Sequence, residues 1–191
     1  MAQDALNMKR KFPAFIVFAL LFVSGGAGAE SDRTTDIGKI ISEGKFQPTV
    51  PDDSAFVSKY GMGSRAETHG TLFRSYQDKK NRTWVRLSID TDPVPSERFV
   101  SEILVSSKAV SKKVKPANFG DRILSLRGVT LGASVSALRK LSGEGETSHG
   151  KISGQDYEVK RYYPVNGDPS LYNDFYIANG KVIAFSVGLT E

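Results

Sequence analysis

Two histidines, His69 and His149, are the side chains best suited to acid–base or metal chemistry, and each has a carboxylate nearby, Glu67 or Glu146. Two imidazoles and two carboxylates match the donor set of a zinc site, provided the two His-Gly segments converge. The plainer expectation is that each His-Gly pair opens a strand, with no metal and no cofactor bound. The 191-residue chain has no cysteine, which excludes thiolate zinc sites, cysteine nucleophiles, disulfides and a lipid-accepting cysteine. A small metal-dependent or hydrolytic periplasmic enzyme built on His69 and His149 therefore stands as the alternative function.

Other motifs imitate catalytic ones without completing them. Gly145-Glu-Thr-Ser-His-Gly150-Lys151-Ile152 nearly spells a phosphate-cradling loop, but Ile152 replaces the hydroxyl that holds magnesium. Its expected setting, helix to strand, also puts no helix N-terminus against the anion. Gly61-Met-Gly63-Ser-Arg-Ala66 lacks the βαβ unit of a dinucleotide site. Ser42-x-x-Lys45 and Ser148-x-x-Lys151 lack the companion motifs of penicillin-interacting serine enzymes. No catalytic residue is assigned. Lys108, Lys112, Lys113 and Lys115 form a basic run suited to anionic lipid or an acidic protein, or simply to a solvated linker. Nucleic-acid binding is not expected, since no recognition motif accompanies the charge. Asn81-Arg-Thr83 is a formal glycosylation sequon.

Aromatic and basic residues on strands offer recognition instead of catalysis. Alternation puts Val85, Leu87 and Ile89 on one face of a strand, and Trp84, Arg86 and Ser88 on the other. Likewise Leu171, Phe175 and Ile177 oppose Tyr172, Asp174 and Tyr176, and Ile183, Phe185, Val187 and Leu189 form a final core row. Trp84, Arg86, Tyr172 and Tyr176, joined by Arg74, Tyr76 and Tyr162, are therefore the candidate protein-binding residues on an outward sheet face. Such residues pair large contact area with hydrogen-bonding tips. They also stabilise sheets by cross-strand contact alone.

The elements that must position these residues come in two similar sets. Ser54-Ala55 recurs as Ser136-Ala137, Gly61-x-Gly63 as Gly143-x-Gly145, and His69-Gly70 as His149-Gly150. Each set opens on a short helical pattern, with Phe56 and Tyr60 four apart or Val135, Leu138 and Leu141 three apart. Strands are expected at 71–77, 82–90 and 98–107, then at 156–163, 171–178 and 181–189, the last pair joined by an Asn179-Gly180 hairpin. The expected fold class is α+β: two tandem helix-plus-three-strand units forming an antiparallel sheet with the short helices on one face. The units span 51–107 and 128–191, separated by a basic linker at 108–127.

The segment Gly128-Val-Thr-Leu-Gly-Ala-Ser134-Val135-Ser-Ala-Leu138, Leu141-Ser-Gly143, and then Asp174-Phe-Tyr-Ile-Ala-Asn-Gly180-Lys-Val-Ile183 resembles the outer-membrane assembly lipoproteins of the SmpA/OmlA type. The doubled unit also resembles the β-lactamase-inhibitor-protein-like fold. The resemblance implies the fold and a habit of binding proteins, and nothing about a particular partner. The chain departs from the lipoprotein pattern by lacking the lipid-accepting cysteine.

Residues 1–29 have the three parts of a secretory signal: basic Lys9-Arg10-Lys11, an apolar run from Phe12 to Val23, and Ala27-Gly28-Ala29 as a cleavage site. The apolar run is shorter than the ~20 residues that span a bilayer as a helix. Met8 is an alternative start. A lead-in at 30–50 follows. The full chain carries a net charge of +5, and removing 1–29 leaves +3, so much of the basicity belongs to the signal. The expectation is a periplasmic or secreted bacterial protein with no transmembrane segment after cleavage, partnered by another exported or envelope protein. N-terminal sequencing of the exported protein is expected to begin at Glu30; a mature chain that retains Phe15 would refute cleavage.

Overall fold

The computed structural model describes residues 34–37, 54–91, 99–112, 114–117, 119, 123–143, 145–163 and 171–189. The signal segment, most of the lead-in, Lys113 and residues 92–98 and 164–170 lie outside the described residues.

Strand β1 (Thr34–Asp36) is followed by helix α1 (Ser54–Tyr60), then β2 (Ser64–Thr68), β3 (Thr71–Asp78), β4 (Thr83–Asp90) and β5 (Val100–Ser106). Three short strands come next: β6 (Lys115–Pro116), β7 (Ile123–Leu126) and β8 (Val129–Thr130). A 3₁₀ helix at Val135–Lys140 precedes β9 (Glu146–Ile152), β10 (Gln155–Tyr162), β11 (Leu171–Ala178) and β12 (Lys181–Leu189). The main sheet has nine strands, eight of them in the order β2-β3-β4-β5-β12-β11-β10-β9 with antiparallel neighbours throughout. Strand β6 lies parallel to β3 beyond the end of β2. Strands β1, β7 and β8 form a second, three-stranded sheet.

The expected α+β class is therefore overturned: the described fold is mostly β, and its two short helices do not form a layer. In the main sheet each set contributes four strands instead of the expected three, since β2 and β9 lie outside the expected strands. Their sequences, Ser-Arg-Ala-Glu-Thr and Glu-Thr-Ser-His-Gly-Lys-Ile, show little apolar alternation, since both are exposed strands at the two ends of the sheet order. Strand β7 occupies part of the expected basic linker. The second helical pattern forms a 3₁₀ helix instead of an α-helix, capped by the Ser134 hydroxyl accepting from Ser136 N–H, and among its residues only Leu138 is buried.

Tight turns explain the hairpins. His69-Gly70, Ser153-Gly154 and Asn179-Gly180 each have positive φ at both residues, the geometry of type I′ connections. Asn-Gly is the one whose sequence announces it.

The main core lies on one face of the sheet. Tyr76, Val85, Leu87, Ile103, Val105, Phe175, Phe185 and Val187 meet Phe56 of α1, Phe119, Leu126, Val129 and Leu138 there. The expectation of one packed and one solvated face is also corrected. Strand β12 is buried from Val182 to Gly188, because the opposite face carries a second cluster that includes Leu104, Ile152, Val159, Tyr176, Ile183 and Ala184. Ile183 belongs to that second cluster rather than to the row of Phe185 and Val187. The register against β11 slips by one residue between Tyr176 and Ile177, so Ala184 and Val182 have partners and Ile183 is the extra residue of a bulge. Phe185 is fully buried, with its ring 6.5 Å from that of Phe175. Phe185→Ala is expected to cost about 3–5 kcal/mol of stability in urea denaturation without a large change in the slope of the transition.

Candidate functional site

The face opposite the main core is organised in three rows across the sheet. One row runs Trp84, Ser106, Ala184, Tyr176, Val159; the next runs Arg86, Leu104, Ser186, Asp174, Arg161. The third runs Phe73, Ser88, Glu102, Gly188, Tyr172. Small side chains on β12 (Ala184, Ser186, Gly188) are thus flanked by Ser106, Leu104 and Glu102 on one side, with Trp84 and Arg86 beyond them, and by Tyr176, Asp174 and Tyr172 on the other. Tyr172 lies over Gly188 so closely that a Cβ there would collide with the phenol. Tyr176 leans toward Gly150, where an added Cβ would meet its ring at 2.8 Å.

Charge is paired within this face. Arg161 makes a bidentate contact with the buried Asp174, Nε to Oδ1 and Nη2 to Oδ2, both 2.8 Å. The same guanidinium stacks over the Tyr172 ring at 4.1 Å. Hydrogen bonding to Asp174 holds the Arg161 charge more firmly than usual. Arg86 donates to Glu102 at 3.0 Å and stands over the Phe73 ring at 5.3 Å. Burial pushes the Tyr172 and Tyr176 phenols up, and the charges of Glu102 and Asp174 push the same way.

The candidate residues do not all meet here. Trp84, Arg86, Tyr172 and Tyr176 share this face, although Tyr176 is only 8% exposed. Tyr76 and Tyr162 lie in the main core on the other side, Tyr76 donating its hydroxyl to the Gly61 carbonyl at 2.9 Å. Arg74 shares a side with Tyr76 by strand alternation and donates to the Met62 carbonyl at 3.1 Å. These three do not face outward, because the parity of β3 and β10 that meets the core is set by their register against neighbouring strands, which neither strand's own sequence contains. Phe73, Glu102 and Arg161 went unrecognised for the same reason. Only Asp174 left a signal, as the charged member of the Tyr172-x-Asp174-x-Tyr176 alternation.

The histidines are not brought together by strand pairing. His69 is a turn residue between β2 and β3, and His149 stands mid-strand on β9 opposite Glu158, at the other end of the strand order. No group of three or more His, Cys, Asp or Glu side chains among the described residues is placed to hold a metal ion. The segment 146–152 is a strand, so its amides serve pairing with β10, and Ser148 and Lys151 point to opposite faces. The partly exposed Trp84, Arg86, Phe73 and Tyr172 supply flat apolar area, a cation and hydrogen-bonding tips, the chemistry of recognition.

No family model matches the chain, and no curated protein matches it. Among solved structures it is similar to a cysteine-rich secretory protein from Staphylococcus aureus subsp. aureus Mu50, at 15% identity and a TM-score of 0.42, over 73% of this chain and 42% of that one. It is also similar to an extracellular protein containing an SCP domain from Bacillus anthracis str. Ames, at 12% identity and a TM-score of 0.43, over 72% and 42%. The chain spans about two fifths of the length of these structures, and likenesses this distant carry no argument about function. No helix among the described residues is long and apolar enough to cross a membrane.

The pH dependence of stability tests the polar face. The Tyr176 phenol is pushed up to about 12 by burial first, then by Glu102 and Asp174, against about 10 in an unfolded chain. The stability this contributes is intact below about pH 10 and is lost as pH rises toward 12. Urea denaturation across that window is expected to show a decline to which Tyr176 contributes at most about 1.4 kcal/mol per pH unit. Tyr176→Phe should make the decline shallower.

Proposed function

We propose that this chain is an exported, non-enzymatic protein-binding or envelope-assembly module whose recognition surface is the sheet face carrying Trp84, Arg86, Phe73 and Tyr172. The observation that supports this reading most directly is the arrangement of that face. Side chains of the types that concentrate binding energy stand partly exposed, and ion pairs and ring contacts already fix the geometry of Arg86, Phe73 and Tyr172. Side chains held in place before contact lose less conformational entropy when a partner arrives. The signal-like residues 1–29 support export, and the expected compartment is the periplasm or the secreted fraction. The partner is another exported or envelope protein. Tyr176 serves as a buried support for the surface, and Arg74, Tyr76 and Tyr162 have no part in it.

Site-specific photo-crosslinking tests the surface. A photoreactive phenylalanine at position 84 is expected to give a discrete adduct in the envelope or secreted fraction, and the same group at the exposed Lys59 is expected to give none. Adding Arg86→Ala should reduce the adduct about tenfold, as expected for an anchor residue. Equal adducts at 84 and 59, or no adduct at 84 in a folded protein, would count against this surface.

A further inference from the structure

The strand β12 end nearest Lys181 borders a cleft of 460 Å³ that the recognition face does not use. Its chemistry divides cleanly. Phe119, Leu131 and Val182 line it with apolar surface, and Ile123, 45% exposed, adds to that wall. Two cations, Arg82 from the β3–β4 turn and Lys181 from β12, belong to the same lining and are exposed to solvent. Neither side-chain cation has an ion-pair or hydrogen-bond partner among the described residues. The carboxylate in the lining, Asp78, is only 3% exposed and is committed to its own turn. It accepts from Lys80 N–H at 2.9 Å, Asn81 N–H at 3.2 Å and the Asn81 side-chain amide at 2.7 Å.

We propose that this cleft binds a small amphipathic carboxylate, a medium-chain fatty acid, with its head group at Arg82 and Lys181 and its chain against Phe119, Leu131 and Val182. Charge complementarity selects the head group: two unpaired cations favour an anion, and a guanidinium can give a carboxylate two parallel hydrogen bonds. The apolar lining selects the tail, since the remaining polar side chains there are engaged within the protein, Asn81 donating to Asp78, Thr83 to the Asn81 carbonyl and Ser107 to the Ile183 carbonyl, and the volume lies in the range of small-ligand pockets. The fold explains why space remains there. Pairing of β12 with β5 begins only at Ala184, and Val182 instead exchanges backbone hydrogen bonds with Gly132 and Ala133. The bulge at Ile183 lies at this change of partner.

Calorimetric titration of the full chain with decanoate, below its micelle-forming concentration, and with decanol tests the proposal. Decanoate should bind saturably at one site, about tenfold more tightly than decanol. Arg82→Ala/Lys181→Ala should weaken decanoate about tenfold and leave decanol unchanged. Ile123→Glu, which puts a charge into the apolar wall at a position already exposed, should weaken decanoate and decanol alike. Both variants should keep the thermal midpoint of the unliganded protein. Absence of saturable decanoate binding, equal affinities for acid and alcohol, or wild-type decanoate binding by the folded double variant would each overturn the proposal.

Discussion

The constraint on which the rest depends is the burial of strand β12 on both faces. From Val182 to Gly188 every residue is buried, so the chain has to supply a cover for each side of the sheet. Pairing with β5 on one side joins β12 to a strand remote in sequence, pairing with β11 on the other closes a hairpin, and at the Lys181 end Val182 bonds instead to the backbone of Gly132 and Ala133. On the main-core side the cover is assembled from α1, Phe119, the β7–β8 strands and the 3₁₀ helix. On the other side it consists of the sheet's own large side chains leaning over small ones, as Tyr172 does over Gly188. One face is therefore closed by added structure, and the other mostly by side-chain reach, with Val110 from beyond the end of β5 packed against it.

That difference gives the second face its chemistry. Self-covering with polar-tipped side chains brings two carboxylates, Glu102 and Asp174, under partial or complete burial. Such charges are tolerable only when paired. Arg86 and Arg161 supply the pairing. Asp174 is the more demanding of the two: removing Arg161 would leave it buried and uncompensated, whereas Arg161, about a third exposed, can reach water without it. A buried pair of this kind is weak evidence for added stability. It does fix the position of Tyr172, which stacks on the same guanidinium.

The alternation in β4, β11 and β12 made the core rows legible, because a residue's side on one strand follows from parity alone. Val85, Leu87, Ile89, Phe175, Phe185 and Val187 were identified in this way. Parity says nothing about which rows of neighbouring strands share a face, and so the core positions of Tyr76 and Tyr162 are not legible from it. It also fails at a bulge, which moved Ile183 out of the row it shares with Phe185 in the sequence pattern. The edge strands β2 and β9 escaped notice because exposed strands carry little apolar periodicity. Their polar, charged sequences suit a sheet end that must not invite further pairing.

The sequence by itself determined the local terms: which strands alternate, where Asn179-Gly180 turns, that cysteine chemistry is excluded, and that residues 1–29 read as a signal. These depend on side-chain type and near-neighbour spacing. Only the tertiary structure decided that the fold is mostly β and that the histidines stand at opposite ends of the strand order. Tertiary structure also set Arg161 against Asp174 and left Arg82 and Lys181 beside an apolar cleft. Each of these depends on cross-strand register between segments far apart in the chain, and register is fixed by burying both faces of β12 at once, a condition no local window of sequence contains.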